Sequence, residues 1–227
     1  TEMARRGHDA ALAYSDENPG GFFYPIDPRV ACFNLNDAGN GRMIRFPLRL
    51  KLLREILRCV DKRQARAVND LFQSSCLKES LRSAIGCFKP EIIIAFQPAS
   101  TRLLLDDLGT KLPVITMSHG DPSDYFRTYP VKELPAIEAC AMNQVLMPSF
   151  EAALKAGLPR ARTVTIGNAI RQMPFTADLA AQKPVRRIVT VGRLTQNHKR
   201  PHLLIEAFAR VAGRHPDWRL ELWGDKD

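Results

Sequence analysis

Glu91-Ile92-Ile93-Ile94-Ala95-Phe96 follows Lys89-Pro90 as a continuous apolar run. A strand with no polar alternation is the kind buried on both faces of a parallel sheet. Working outward, a helix is expected over 99–108 and a second strand at Val114-Ile115-Thr116-Met117. Further strands are expected at Gln144 to Met147 and Thr163 to Ile166, around a helix over 150–156 that ends at Gly157. Toward the start, a helix is expected from about Ala67 to Phe88, carrying Leu71, Phe72, Leu77, Leu81 and Ile85. Leu48 to Val60 places Leu48, Leu52, Leu53, Ile56, Leu57 and Val60 on one helical face. Val30 to Leu35 and Ala10 to Tyr14 read as short strands, and Met3 to Arg6 as the last turn of a helix with Gly7 as its C′ residue. Strands alternating with helices at this pitch predict an α/β fold with a doubly wound parallel sheet.

The rhythm breaks over 167–185 and then restarts, with a strand at Arg187 to Val191, a helix at Pro201 to Ala212 and a strand at Arg219 to Trp223. Three regions follow: a first domain over 1–167, a linker over 168–185, and the opening of a second domain over 186–227. A single β-α-β unit is too small to bury its own sheet. The second domain is therefore expected to be cut short, and an opening strand is expected before Thr1. The 227 residues agree with this division, being about one and a half domains of ordinary size.

Composition is that of a folded chain: 45% apolar, 25% charged, and 29 glycines and prolines in 227 residues, which excludes disordered and collagen-like classes. No apolar run approaches the roughly 18 residues that cross a bilayer. The first residues carry Arg5 and Arg6 without an apolar run after them, unlike a signal peptide. Five scattered cysteines without a C-x-x-C pair argue against a disulfide framework or zinc site and for a reducing cytoplasm. Cys32 and Cys87 are expected to fill the core. The net charge of +9 points to an acidic partner: nucleic acid, a phosphate ligand or an anionic membrane.

The densest chemical signal is Val191-Gly192-Arg193-Leu194 followed by Lys199-Arg200-Pro201. Gly192 ends a strand and lets a ligand approach the backbone. Arg193 offers a planar fork, Lys199 a point charge, and Pro201 suits the first turn of a helix whose positive end faces the same place. Open α/β sheets bind ligands at the carboxyl ends of their strands, so this set reads either as a diphosphate site or as a basic surface loop. Ser118-His119-Gly120 follows another strand, with Asp121-Pro122 as N-cap and first helical residue. His119 reads either as a functional loop residue or as a histidine bonded to backbone. His198 and His202 flank the basic loop. No histidine pair has metal-ligand spacing on a helix face, and neither a metal site nor a catalytic triad is expected.

Gly192-Arg193-Leu194, Lys199 to Phe208 and His215-Pro216-Asp217-Trp218-Arg219-Leu220 resemble the second-domain opening of retaining glycosyltransferases of GT-B fold, the group-1 or GT4 family. Met3 to Asp9 resembles the end of that family's first helix, with Ala10 where valine is usual. Met147-Pro148-Ser149 and Ile166-Gly167-Asn168 look like family positions near the end of the first domain. The resemblance implies two Rossmann-like domains and sugar transfer from a nucleotide-sugar donor to a glycan or lipid-linked acceptor, with retention, in cell-surface polysaccharide or glycolipid synthesis. It implies that Gly192, Arg193 and Lys199 hold the donor diphosphate, with Arg193, Lys199 and His119 as the catalytic set. Gly120, Asn168 and Gly224 become candidate cleft contacts. No cofactor or metal is implied, the nucleotide sugar being a substrate. The family's Glu-x₇-Glu motif is not found after residue 187, where Glu206 and Glu221 are the only glutamates. The motif is expected beyond Asp227, and the fragment is expected to be inactive by itself. Two other readings stand beside this one: a non-catalytic sugar-nucleotide-binding or scaffold protein, and a GT-B sugar-nucleotide epimerase.

Seven of the nine net charges lie between Arg42 and Arg66. Arg49, Lys51, Arg54, Arg58 and Lys62 are candidate membrane-facing residues beside the leucine-rich face. That helix reads as a solvated helix whose leucines face the sheet, as a surface for anionic lipid, or as contact for a phosphate-bearing acceptor. No aromatic stacking platform accompanies the basic run, so nucleic acid is not expected as a partner. Localisation is expected to be cytoplasmic, with peripheral attachment to the inner membrane face.

Overall fold

The chain is described by a computed structural model, which covers every residue except 19, 40–41, 171–173, 177, 179, 182–184, 197–198 and 226–227. Two compact units are present, Thr1–Ala169 and Ile170–Asp227. The first opens on a short helix, α1 (Glu2–Arg5). Gly7, at φ 86°, closes it: its N–H bonds Ala4 C=O at 3.2 Å, and His8 N–H reaches back to Met3 C=O at 3.1 Å. This paired exit needs a left-handed residue after the helix, as the sequence predicts for Gly7.

Among the described residues every pair of strands is parallel. β1 (Ala11–Tyr14) pairs with β2 (Ala31–Asn34). β3 (Ile93–Phe96), β4 (Val114–Met117), β5 (Met142–Val145) and β6 (Thr163–Thr165) form a second sheet in that order. The first domain thus holds its strands in two sheets rather than the single one expected. Both lean on α4 (Lys78–Phe88), which packs against β1 and, through Leu81 and Ile85, against the core below Ile93. β5 begins two residues earlier than expected. Its register places Met142 opposite Ile115, and Pro148 already opens the next helix.

The helix expected from Ala67 starts instead with α3 (Lys62–Phe72). Asp61 caps it, accepting Arg63 N–H at 2.8 Å. The first turn is polar and carries no apolar periodicity, which hides it in the sequence. A π-helical turn, Gln73–Leu77, joins α3 to α4, and a second, Leu103–Asp107, extends α5 (Pro98–Arg102). The two widened turns are clasped together. Ser74 Oγ donates to Asp107 Oδ2 at 2.5 Å, and Arg102 donates to Ser74 Oγ at 2.7 Å and to Asp107 Oδ1 at 3.0 Å. π turns mark places where a helix departs from its ladder to meet another requirement, here a buried ion pair.

The main core gathers Ile137, Val145, Leu154 and Leu158 around Tyr125, between α6 (Ser123–Thr128), α7 (Leu134–Ala139) and α8 (Pro148–Gly157). Cys140 is buried, whereas Cys32 and Cys87, expected in the core, are exposed. Cys32 falls on the outward alternate of β2, and Cys87 on the outer face of α4. In the second unit β7 (Arg186–Val191) and β8 (Trp218–Trp223) pair in parallel around α9 (Pro201–Ala212). No described residue of that unit is fully buried, as a lone β-α-β arrangement dictates.

α2 (Leu48–Val60) has the bounds that periodicity predicts. Its leucines do not face the sheet. Leu48, Leu52, Ile56 and Val60 are 59–79% exposed. Leu50, Arg54 and Leu57 are the half-buried positions, and α2 packs against α3. The helix therefore carries two apolar faces, one used and one bare.

Gly157 ends α8 against the ring of Phe126, and a Cβ there would run into that ring. Gly157→Ala is expected to lower stability by about 1–3 kcal/mol, the usual cost of overpacking. Urea denaturation checks this, and the penalty should shrink in a Phe126→Ala background where the ring is gone.

Candidate functional site

Parallel order sets the carboxyl ends of β3 and β4 side by side. The segments that follow them share a cavity of about 210 Å³, lined by Phe96, Gln97, His119, Gly120 and Tyr125 among others. His119 follows β4 and stacks on Phe96, with ring centroids 5.8 Å apart and an interplanar angle of 14°. The ring is thus fixed in direction while the residue stays exposed. Gly120 C=O accepts Ser118 Oγ–H at 3.1 Å. Asp121 is not the N-cap expected from the sequence, because the helix begins at Ser123 with Pro122 at the cap position; its Oδ1 accepts Ser123 N–H at 2.8 Å, and this backbone bond holds the carboxyl below the usual range. Burial pushes the Tyr125 phenol up to about 12. Asn168 lies on exposed irregular chain and does not line this cavity.

Gln97 was not foreseen. It stands at φ 83°, ψ 151°, a strained conformation for a residue with a side chain, at the carboxyl end of β3. The extended ψ follows from Pro98 after it. The positive φ has no sequence signal.

In the second unit the strand-to-helix segment brings several predicted residues together. Gly192 N–H bonds Trp223 C=O at 2.9 Å, and Leu194 N–H bonds Asp225 C=O at 3.0 Å. Gly192 and Gly224 both sit at φ 156°, and a Cβ on Gly224 would run into the Gly192 backbone. The Lys199 side chain lies against Gly192, its Cγ and Cε 3.5 Å from where a Cβ would stand. Arg200 turns left-handed at φ 50° and Pro201 opens α9. Arg193 is exposed on the same segment. Thr195 Oγ1 and His202 Nδ1 are buried there with no hydrogen-bond partner among the described residues. Thr195 carried no signal in the sequence beyond its place in the loop. His198 lies outside the described residues.

The basic stretch divides in two. Arg54 turns inward, donating to Asn69 Oδ1 at 3.2 Å, with its guanidinium 5.1 Å from the Phe46 ring centre. Arg63 donates to the carbonyls of Phe126 and Arg127 at the end of α6, and Arg66 stacks 3.7 Å over Tyr129. Arg49, Lys51 and Arg58 lie on exposed α2, with Arg58 paired to Glu55 at 2.9 Å. Lys62 is exposed but belongs to α3, because the helix breaks at Asp61. Arg54 and Lys62 therefore leave the expected membrane-facing row, one by turning inward and the other by the break.

A second, larger cavity lies near the ends of β1 and β3, with Asp70 of α3 and Glu133 in its wall. Both carboxylates are only 1% exposed. Lys132 Nζ approaches Asp70 Oδ2 at 3.4 Å. Loss of water, and then the neighbouring Asp70 charge, push the Glu133 carboxyl up to about 8, against the pull of Arg102 and Arg66.

No protein-family model matches the sequence, and no curated protein is found similar to it. Solved structures do match. Sucrose-phosphate synthase from Thermosynechococcus elongatus is similar over 99% of this chain and 54% of its own, with TM-score 0.66 and 16% identity. TarM of S. aureus matches over 60% of this chain and 28% of its own, with TM-score 0.46 and 15% identity, and is known also as a variant in complex with UDP. The chain thus spans about half the length of the first and about a quarter of the second. The likeness to sucrose-phosphate synthase fixes the fold as α/β of the GT-B type, with parallel sheets.

Glu133 gives a pH dependence of known sign. Between its unfolded value near 4.5 and its folded value of about 8, the folded chain holds a proton that the unfolded chain has released. Stability from this group is therefore present at the acid end of that window and is lost as pH rises through it. Urea midpoints measured across the window should fall with pH, and Glu133→Gln, which mimics the protonated acid, should flatten that slope.

Proposed function

We propose that this chain belongs to a glycosyltransferase that moves a sugar from a nucleotide-sugar donor to a glycan or lipid-linked acceptor. The observation that carries the reading is the segment from Gly192 to Pro201. There a strand end, a bare backbone, the Lys199 side chain and the start of α9 meet on one short stretch. A diphosphate fits this chemistry, since helix amides and two cations all favour anionic oxygen. Arg193 and Lys199 hold the diphosphate and stabilise the charge that grows on the leaving group as the sugar–phosphate bond breaks. His119, steadied by Phe96, hydrogen-bonds the donor sugar. Transfer proceeds with retention, in the manner of the GT4 group, and serves cell-surface polysaccharide or glycolipid synthesis. No metal or cofactor takes part in this proposal.

The enzyme works at an anionic membrane surface. No helix among the described residues is long and apolar enough to cross a membrane. α2 instead offers the bare row Leu48, Leu52, Ile56 and Val60, with Arg49, Lys51 and Arg58 around it. An amphipathic helix with basic flanks lies in a lipid interface, its apolar face in the acyl boundary and its cations among the headgroups.

In the full-length protein, Arg193→Ala and Lys199→Ala should each lower donor turnover by about 10²–10³-fold, as loss of a transition-state charge contact does. His119→Ala should lower kcat more than it raises the donor KM. Undiminished transfer by the Lys199 variant overturns its assignment, and donor binding without transfer in the unmodified protein favours the non-catalytic reading. Co-sedimentation with phosphatidylcholine–phosphatidylglycerol vesicles should weaken as salt rises and fail for Leu52→Glu/Ile56→Glu. Equal pelleting with neutral vesicles removes the membrane reading.

A further inference from the structure

Between β1 and β2 the chain runs through an exposed loop, Gly20-Gly21-Phe22-Phe23-Tyr24-Pro25. Phe23 is 91% and Tyr24 77% exposed, and their rings meet edge to face with centroids 4.9 Å apart. Phe22 packs edge-on against Tyr14 of β1 at 5.1 Å, which ties the loop to the sheet. The return is fixed as well: Asp27 Oδ1 accepts Arg29 N–H at 3.1 Å, and Asp27 pairs with the Arg29 guanidinium at 2.9 Å. Single exposed apolar residues are ordinary, but two adjacent aromatic rings held out by a loop secured on both sides mark a contact surface.

The base of this loop is locked to the start of α2. Asn36, fully buried, accepts Ser15 Oγ–H at 2.5 Å and donates to Ile44 C=O at 2.6 Å. Glu17 Oε1 accepts Phe46 N–H at 2.9 Å, just before Leu48 opens the helix. The aromatic tip and the bare row of α2 therefore rise from one hydrogen-bonded foot. Arg42, Arg45 and Arg49 are exposed there and outnumber the acids Asp16 and Glu17, whose carboxylates are taken up by the N–H groups of Asn18 and Phe46. Two aromatic rings cover about 300–500 Å². That is short of the roughly 800 Å² each partner gives to a stable protein interface. A lipid interface demands no matching shape. Phenyl and phenol rings beside cations favour the headgroup boundary of an anionic bilayer.

We infer that Phe23 and Tyr24 form a second membrane anchor, inserting into the interface of the same anionic bilayer on which α2 lies. The inference deepens the membrane reading of α2 and rests on it for the choice of partner. It adds a separate point of contact, so the first unit is held by a loop and a helix rather than by a helix alone. Each anchor, once seated, raises the effective concentration of the other at the surface. Two points also fix an orientation about the helix axis that one helix leaves free.

The test titrates the full-length protein with phosphatidylcholine–phosphatidylglycerol vesicles. Phe23→Ser/Tyr24→Ser should weaken binding by about tenfold or more. The slope of affinity against salt should stay unchanged, because no cation is removed. Circular dichroism should match that of the unmodified protein, both side chains being exposed. Phe23→Trp should keep full binding, since tryptophan also favours the interface. Its emission should be quenched by bromine-labelled lipid beyond the quenching of the unmodified protein, whose two tryptophans, Trp218 and Trp223, lie in the second unit. Undiminished binding by the serine variant, or no added quenching in Phe23→Trp, overturns the proposal. Loss of binding by Leu52→Glu/Ile56→Glu then leaves the α2 reading standing. Added quenching that survives Leu52→Glu/Ile56→Glu upholds the loop and removes the helix as an anchor. Failure of the unmodified protein to bind removes both. A dimer that exists without lipid and is dissolved by the serine substitutions makes the tip an interface between copies and overturns the proposal as well.

Discussion

Parallel strand pairing is the constraint on which the other features depend. Each parallel pair needs a crossover connection, so successive strands point the same way and their carboxyl ends gather. In the first unit this brings the residues after Phe96 and Met117 into one small cavity and stacks His119 on Phe96. In the second it places Gly192 and Gly224 back to back at the ends of two adjacent strands. The glycine at 224 is required by that closeness, since any side chain there would meet the neighbouring backbone. The same closeness leaves the Gly192 backbone open to Lys199 on one side.

Beneath the strand ends of the first unit lies a buried polar network that an ordinary core would not contain. Arg102, Ser74 and Asp107 tie the two π turns together. Asp70, Glu133 and Arg66 form a second buried polar group beside Lys132.

The basic stretch shows how a charge count can mislead. Arg54, Arg63 and Arg66 are spent on internal contacts with Asn69, the end of α6 and Tyr129. The cations that remain at the surface of α2 surround a bare apolar row. The physical meaning of the helix comes from that pairing of exposed leucines with outward cations rather than from net charge.

Much of the architecture was legible in the sequence because it is written in local periodicity. Leu48 to Val60, Val114 to Met117 and Pro201 to Ala212 have the bounds their apolar spacing predicts. The Gly7 exit follows from backbone chemistry alone. The glycine, arginine and lysine of the 192–199 segment announce themselves by their spacing at a strand end. Other features arise only when distant segments meet. The start of α3 at Lys62, the π turns, and the outward direction of Cys32 and Cys87 are decided by what packs on them. So is the elevation of Glu133, which comes from burial and from Asp70, far from it in sequence. Local pattern determines which elements form. The faces they bury, and the atoms left without partners, are set by contacts that no short window of sequence contains.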